Sequence, residues 1–342
     1  MRSAHSTLAP RRLARGLTLI ELMVAVTIGL FLMIGAMTVF VQSRTTYRST
    51  EGVSRLQENA RFALAAIEPD IRLASYFGLT TQGVNIDGRA TPAQPAGIGP
   101  TKCGNNWAID LEDPIAVTNG TWAWGGTCAD ATDGGWLAGT DTIVVRRVSE
   151  NPVLAAAGGT LYVQSARFQP GRIFAGTPVP AGYTAATSGT SQLWTTGYYI
   201  AQQSTSPLGA TGNNIPSLHR VQLKTGGALV DDELLAGVED LQIEFGLDTD
   251  APGTANRGSI DRYVHANDNV INPASAGFNK DAVILAVRIW LRLRAEDLEA
   301  GFTDSTRYQY ADVDYTPAGA AQQFRRLLVS KTIYLRNMKP MS

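Results

Sequence analysis

Arg11-Arg12-Leu13-Ala14-Arg15-Gly16 leads straight into Leu17-Thr18-Leu19-Ile20-Glu21-Leu22-Met23-Val24-Ala25, and the apolar run continues to Val41. Over those 25 residues the only charge is Glu21. A helix of that length spans a bilayer. A secretory signal peptide has a shorter apolar core and an A-x-A-like cleavage site after it. Here polar helical sequence follows instead, Gln42-Ser43-Arg44-Thr45. A plain single-span anchor explains the length, and Arg11, Arg12 and Arg15 fit the positive-inside rule. It does not explain the glycine abutting the apolar run, nor the acid within it. A carboxylate left unpaired at mid-depth costs about 2.5–3.5 kcal/mol, and the run contains no Lys or Arg. Cleavage after Gly16 would turn Leu17 into a free amine, a cation one helical turn upstream of Glu21.

Beyond Val41 the helical pattern becomes amphipathic. Val53, Leu56, Ala60, Ala63, Ile67, Ile71 and Ala74 recur at steps of three and four, which is one helix face. The spacing predicts one helix from Leu17 to Tyr76. Pro69 removes an amide donor and clashes with the carbonyl of Ala65, so a kink or short break is expected between Ala65 and Pro69, with a further turn to Phe77-Gly78. Gly29 and Gly35 either permit close packing in a membrane or let the helix unwind locally. Both readings stay open.

Residues 78–139 are rich in Gly, Pro, Asn and Thr, and regular structure is expected to be sparse there. Trp107, Trp122, Trp124 and Trp136 cluster around Cys103 and Cys128. They read as a small satellite core, with an exposed aromatic docking surface as the alternative. Strand patterns follow at 141–148, 160–164, 193–202 and 218–223. Leu241, Ile243, Phe245 and Leu247 alternate with polar residues as in a half-buried strand, and 282–294 does the same. The last strand is expected over 324–336. The Arg288, Arg292 and Arg294 row reads as a solvated or partly covered sheet face, with a docking stripe for an acidic neighbour as the alternative. One long helix, a loop-rich insert and then many strands make an α+β chain with an antiparallel sheet packed on the helix.

Gly16-Leu17-Thr18-Leu19-Ile20-Glu21-Leu22-Met23-Val24-Ala25 resembles the processing motif of type IV pilins and type II secretion pseudopilins. The resemblance implies cleavage by a prepilin peptidase between Gly16 and Leu17 on the cytoplasmic side. It also implies N-methylation of Leu17, although Phe is the usual residue there. Glu21 would pair with the N-terminal amine of a neighbouring subunit, which neutralises a buried charge and sets the register of a filament. Two helical segments, 56–63 and 70–78, are similar to the PilW family of minor pilins. So are Val238-Glu239-Asp240-Leu241-Gln242-Ile243-Glu244-Phe245-Gly246-Leu247-Asp248, Val287-Arg288-Ile289 and Thr332-Ile333-Tyr334-Leu335-Arg336-Asn337. Over roughly 78–230 the likeness is weak.

The implied organisation is a basic leader (1–16), a membrane and filament-core helix (17–41), an amphipathic helix on the head (42–77) and a periplasmic β-rich head (78–342). The implied function is that of a minor pilin which primes a type IV pilus from the inner membrane and sits at its tip, with roles in twitching motility, adhesion and DNA uptake. Its implied partners are prepilin peptidase, the major and other minor pilins, the pilus assembly platform, inner-membrane lipid and a tip adhesin. A type II secretion pseudopilin and a tip ligand-binding module are the alternatives. Loss of the leader removes Arg2, Arg11, Arg12 and Arg15 and no acid, taking the net charge from −1 to −5. That balance lacks the basic footprint of a nucleic-acid binder. In an exported chain an even cysteine count favours a Cys103–Cys128 disulfide, with two buried free thiols as the alternative.

No catalytic motif is present: the sequence has no G-x-S-x-G, P-loop, C-x-x-C or H-E-x-x-H. An enzyme and a cofactor are not expected. His5 lies in the leader, and His219 and His265 read as isolated structural residues. Asp248 and Asp250 head a polar loop and are the calcium candidates, but Pro252 and Ser259 break the EF-hand spacing. A solvated turn is the better reading, so no metal site is expected.

Overall fold

The computed structural model describes residues 16, 18–89, 102–104, 106–125, 128–129, 133–153, 156–205 and 214–338. Helix α1 spans Leu19–Arg72. The strands that follow are β1 (Ile86–Asp87), β2 (Ile115–Thr118), β3 (Thr142–Val148), β4 (Leu161–Ala166) and β5 (Gly171–Ala175). Then come β6 (Ser188–Ala201), β7 (Ser217–Leu223), β8 (Leu229–Ala236), β9 (Val238–Asp248) and β10 (Arg262–His265). The last are β11 (Val283–Arg294), β12 (Tyr308–Tyr310), β13 (Val313–Tyr315) and β14 (Arg326–Tyr334). The chain forms two compact units, one ending at Gly52 and one running from Val53.

In the second unit two sheets carry the architecture. The larger runs β1-β5-β4-β6-β3-β2, with β7 and β8 added alongside β6. Its pairings are antiparallel except for the short β1–β5 pair. The smaller is the antiparallel β10-β9-β11-β14. The helical stripe meets this architecture as its spacing requires. Leu56, Ala60, Ala63, Ile67, Ile71 and Ala74 are all buried, in one core with Val145, Tyr198, Ile243 and Ile289. Val53 lies outside that core, 38% exposed. Side chains alternate along a strand, so the larger sheet feeds two cores. Ile143, Val145, Tyr198 and Ile200 face the helix core, whereas Val144, Tyr199 and Ala201 face the tryptophan and cysteine side.

Two sequence expectations are corrected. The break at Pro69 does not occur: α1 continues to Arg72, and Leu73 N–H bonds the Pro69 carbonyl at 3.2 Å. Ile67 and Ile71, fully buried on either side of Pro69, hold the last turns in the core against the lost bond and the ring's crowding of the Ala65 carbonyl. The helix also ends earlier than Tyr76. Ser75 takes a left-handed conformation (φ 63°), and its N–H bonds Arg146 O at 3.3 Å. The polar face of the smaller sheet is partly covered, within the expected reading: Arg292 is buried and Arg288 and Arg294 are half-buried. Arg292 bonds Glu239 at 3.2 Å and Tyr310 at 2.7 Å, and Arg326 grips both Glu239 oxygens at 2.8 and 3.0 Å. Tyr310, from the β12–β13 hairpin, donates to Asp240. Strand β9 is thus buried on both faces. A bulge between Ile284 and Ala286 shifts the β11 register, so Ala286 rather than Leu285 is fully buried.

Two adjacent arginines on β3 hold the flanking layers. Arg147 donates to Asp70 of α1 through Nε (2.9 Å) and Nη2 (2.7 Å), and Tyr198 Oη donates to the other Asp70 oxygen at 2.7 Å. Burial and the neighbouring Asp70 charge push the Tyr198 phenol well up, which keeps it a donor. Arg146 points the opposite way, bonding Trp107 O at 2.8 Å and Asp113 O in the insert.

Candidate functional site

Helix α1 begins with a reciprocal cap. Thr18 N–H and Thr18 Oγ1 donate to Glu21 Oε2 at 3.1 and 3.0 Å, and Glu21 N–H donates back to Thr18 Oγ1 at 3.3 Å. This is a capping box, T-x-x-E, in which the two residues satisfy amides that have no partner within the helix. An acid in the first turn also suits the positive end of the helix dipole. The charge pattern alone points Glu21 to an external amine; Thr18-x-x-Glu21 before an apolar run is the signature of this additional, local role. Both bonds fall on Oε2. Among the described residues nothing bonds Oε1, so capping and an incoming cation do not compete for the same lone pairs.

The helix that follows exposes its apolar side chains all round. From Leu19 to Val41 the large hydrophobic residues are 51–79% exposed, an area that a soluble surface does not tolerate. One helix among the described residues is long and apolar enough to cross a membrane. Its hydroxyls are satisfied internally. Thr27 Oγ1 donates to Met23 O at 3.0 Å and Thr38 Oγ1 to Ile34 O at 2.7 Å, so neither brings an unmet polar group into lipid. Gly29 and Gly35 are helical, and a Cβ added at either meets nothing within 4 Å. Gly16 precedes the cap; Leu17 lies outside the described residues, so the proposed cleavage and methylation position has no geometry here.

Cys103 and Cys128 form a disulfide, which resolves the choice between a bridge and free thiols. The tryptophans pack beside it. Trp107 and Trp124 meet edge-on at 5.5 Å, and Trp122 contacts Trp124, Trp136 and Tyr199. Trp107 and Trp124 are buried and the other two half-buried, the satellite core rather than the docking surface. Gly197 of β6 makes room for it: a Cβ there would lie 2.5 Å from Trp124 and 2.8 Å from Trp107.

The calcium candidates Asp248 and Asp250 do converge with Asp261. The arrangement is that of a braced loop. Asp248 accepts from Asp250 N–H at 3.0 Å and Gly258 N–H at 2.6 Å, with the Arg257 guanidinium 3.5 Å away. Asp261 accepts both Thr249 donors at 2.7 and 2.9 Å. A protein cation thus already faces these acids. His219, by contrast, is not isolated. It is buried beside Asp133 and Asp231, residues that no local sequence pattern connects. His265 remains apart from both clusters.

Comparison with protein families gives two matches. Residues 197–337 match the family described as type IV pilus-assembly protein W, PilW, and residues 11–37 match the prokaryotic N-terminal methylation motif. No curated protein matches the chain. No solved structure matches it.

Proposed function

We propose that this chain, which belongs to the PilW family and is a type IV pilin-like pilus component, is a minor pilin that primes filament assembly and resides at the pilus tip. Residues 1–16 act as a cytoplasmic leader, 17–41 as the membrane and then filament-core helix, 42–77 as the amphipathic helix on the head, and 78–342 as a periplasmic head. Prepilin peptidase cuts between Gly16 and Leu17 and methylates the Leu17 amine. Glu21 then accepts the amine of an adjoining minor or major pilin as that subunit leaves the bilayer for the assembly platform. The exposed apolar helix passes from lipid contact to contact with neighbouring helices.

The observation that carries this reading is one carboxylate, held by Thr18 in the first turn of a fully exposed apolar helix, directly after Gly16. Buried among filament helices without a counter-ion, Glu21 would carry a penalty of about 2.5–3.5 kcal/mol. A neighbour's amine on Oε1 removes it and fixes one axial offset between subunits. The burial of Trp107 and Trp124 removes the main argument for a tip ligand-binding module built on those rings. Mass spectrometry of protein recovered from sheared pili tests the reading: the expected N-terminus is Leu17 carrying one methyl group. A chain recovered with its arginine-rich leader attached would overturn it.

A further inference from the structure

A buried triad lies on the tryptophan side of the larger sheet. Asp133 comes from the loop after the disulfide, His219 from β7 and Asp231 from β8. Their side chains are 0%, 3% and 2% exposed, respectively. Asp231 Oδ1 lies 3.1 Å and Asp133 Oδ2 3.3 Å from the same atom, His219 Nδ1. The remaining polar atom of each residue is engaged elsewhere. Gly135 N–H donates to Asp133 Oδ1 at 2.9 Å, Tyr199 Oη donates to Asp231 Oδ2 at 2.5 Å, and His219 Nε2 meets Ser217 Oγ at 3.0 Å.

Hydrogen-bond bookkeeping assigns the imidazole. Ser217 Oγ donates to Gln203 O at 3.1 Å, so it accepts from His219, and Nε2 carries a proton. Nδ1 is then the atom that faces two carboxylate oxygens. As a bare lone pair it would repel both. As an N–H it aligns with Asp231 Oδ1 at 3.1 Å, and Asp133 Oδ2 lies 3.3 Å from the same nitrogen. A divalent cation at that point would bond all three atoms and cancel both carboxylate charges.

We propose that Asp133 Oδ2, His219 Nδ1 and Asp231 Oδ1 are the protein ligands of a structural divalent transition-metal site of the zinc type. The three atoms lie within 4.8 Å of one another. The two N···O separations match the edge of a tetrahedron with bonds of about 2.0 Å, which is about 3.3 Å. One imidazole with two carboxylates suits zinc, whereas calcium and magnesium take oxygen-only shells. The three outer partners, Gly135 N–H and Tyr199 Oη as donors and Ser217 Oγ as acceptor, do what partners of metal ligands do. They fix the tautomer and orient the coordinating oxygens. The ion would tie the insert, through Asp133, to the β7–β8 hairpin, beside the Trp136–Ala201 bridge.

The test uses the detergent-solubilised full chain, stripped with chelator and titrated with zinc chloride, cobalt chloride or calcium chloride. The expected result is one equivalent of zinc per chain by elemental analysis, and for cobalt a visible ligand-field band. Zinc at a hundredfold excess over its dissociation constant should raise the unfolding midpoint by about 5 °C, and calcium should not. His219→Gln and Asp231→Asn should each lose the band and the shift, while Asp261→Asn, in the other acidic cluster, keeps both. Because a variant can misfold, the stripped and reloaded parent chain is decisive by itself. No stoichiometric zinc and no midpoint shift in that chain would overturn the assignment, and so would binding unchanged in His219→Gln.

Discussion

Asp70→Leu, alone and combined with Arg147→Met, tests how the head holds its helix. In the parent chain Arg147 makes two bonds to one Asp70 oxygen and Tyr198 one to the other. The side chains of Arg147 and Asp70 are 7% and 11% exposed, so solvent screens the pair little. The single variant leaves a buried guanidinium without its anion. Such a break costs about 3–5 kcal/mol, a large part of the 5–15 kcal/mol typical of a folded domain. The double variant removes both charges. Tyr198 keeps its bond to Ala66 O at 3.1 Å, and most of the loss should return, because apolar replacement of a buried pair is often neutral or better. Urea unfolding followed by tryptophan fluorescence reads this directly, since Trp194 stacks on Arg147 at 4.4 Å. The expected midpoint shift is about 1–2 M for the single variant, with substantial recovery in the double. A single variant within about 0.5 kcal/mol of the parent, or a double variant worse than the single, would refute the reasoning.

Other outcomes follow from the same contacts. Reduction of Cys103–Cys128, which are 25 residues apart, should cost about 3 kcal/mol in the loop-entropy model; unfolding with and without reductant measures it, and a non-reducing peptide map checks the pairing. Burial pushes Asp141 up to about 7 and Asp113 up to about 6. The folded chain therefore holds protons that the unfolded chain has released, and stability should fall as pH rises from about 4.5 to 7. For Asp141 that loss is on the order of 4 kcal/mol, and Asp141→Asn should flatten the slope; a head that gains stability over this window would contradict the assignment. Gly197→Val should destabilise the head by more than 1 kcal/mol by driving Cβ into Trp124 and Trp107, readable as a lower unfolding midpoint.

The elements that were legible in the sequence are those whose signal is local. The Leu56-to-Ala74 stripe and the Val/Ile-rich strands announce themselves by period. Strand β5 (GRIFA) and strand β8 (LVDDELLA) do not. The first is short, and the second is acidic at its centre because Asp231 serves His219 and Tyr199 across the sheet. Pro69 does not break the helix because it lies near the end, where the burial of Ile67 and Ile71 outweighs the local rule. The cover over Arg292 depends on a hairpin about twenty residues downstream, a pairing that periodicity does not encode. At the amino-terminal site, the charge pattern pointed to Glu21, and it was the geometry that added Thr18 as the residue holding it.

The most direct measurement is the incorporation of Glu21→Val into pili. This change keeps Gly16, Leu17 and the apolar run, so the leader should still be removed. Thr18 still caps with its own oxygen, so the expected loss of helix stability is no more than about 1 kcal/mol. The processed chain should accumulate in the inner membrane and be missing from sheared filaments. If Glu21→Val appears in pili at the parent level, the carboxylate is only a helix cap, and assembly does not depend on its meeting a neighbour's amine.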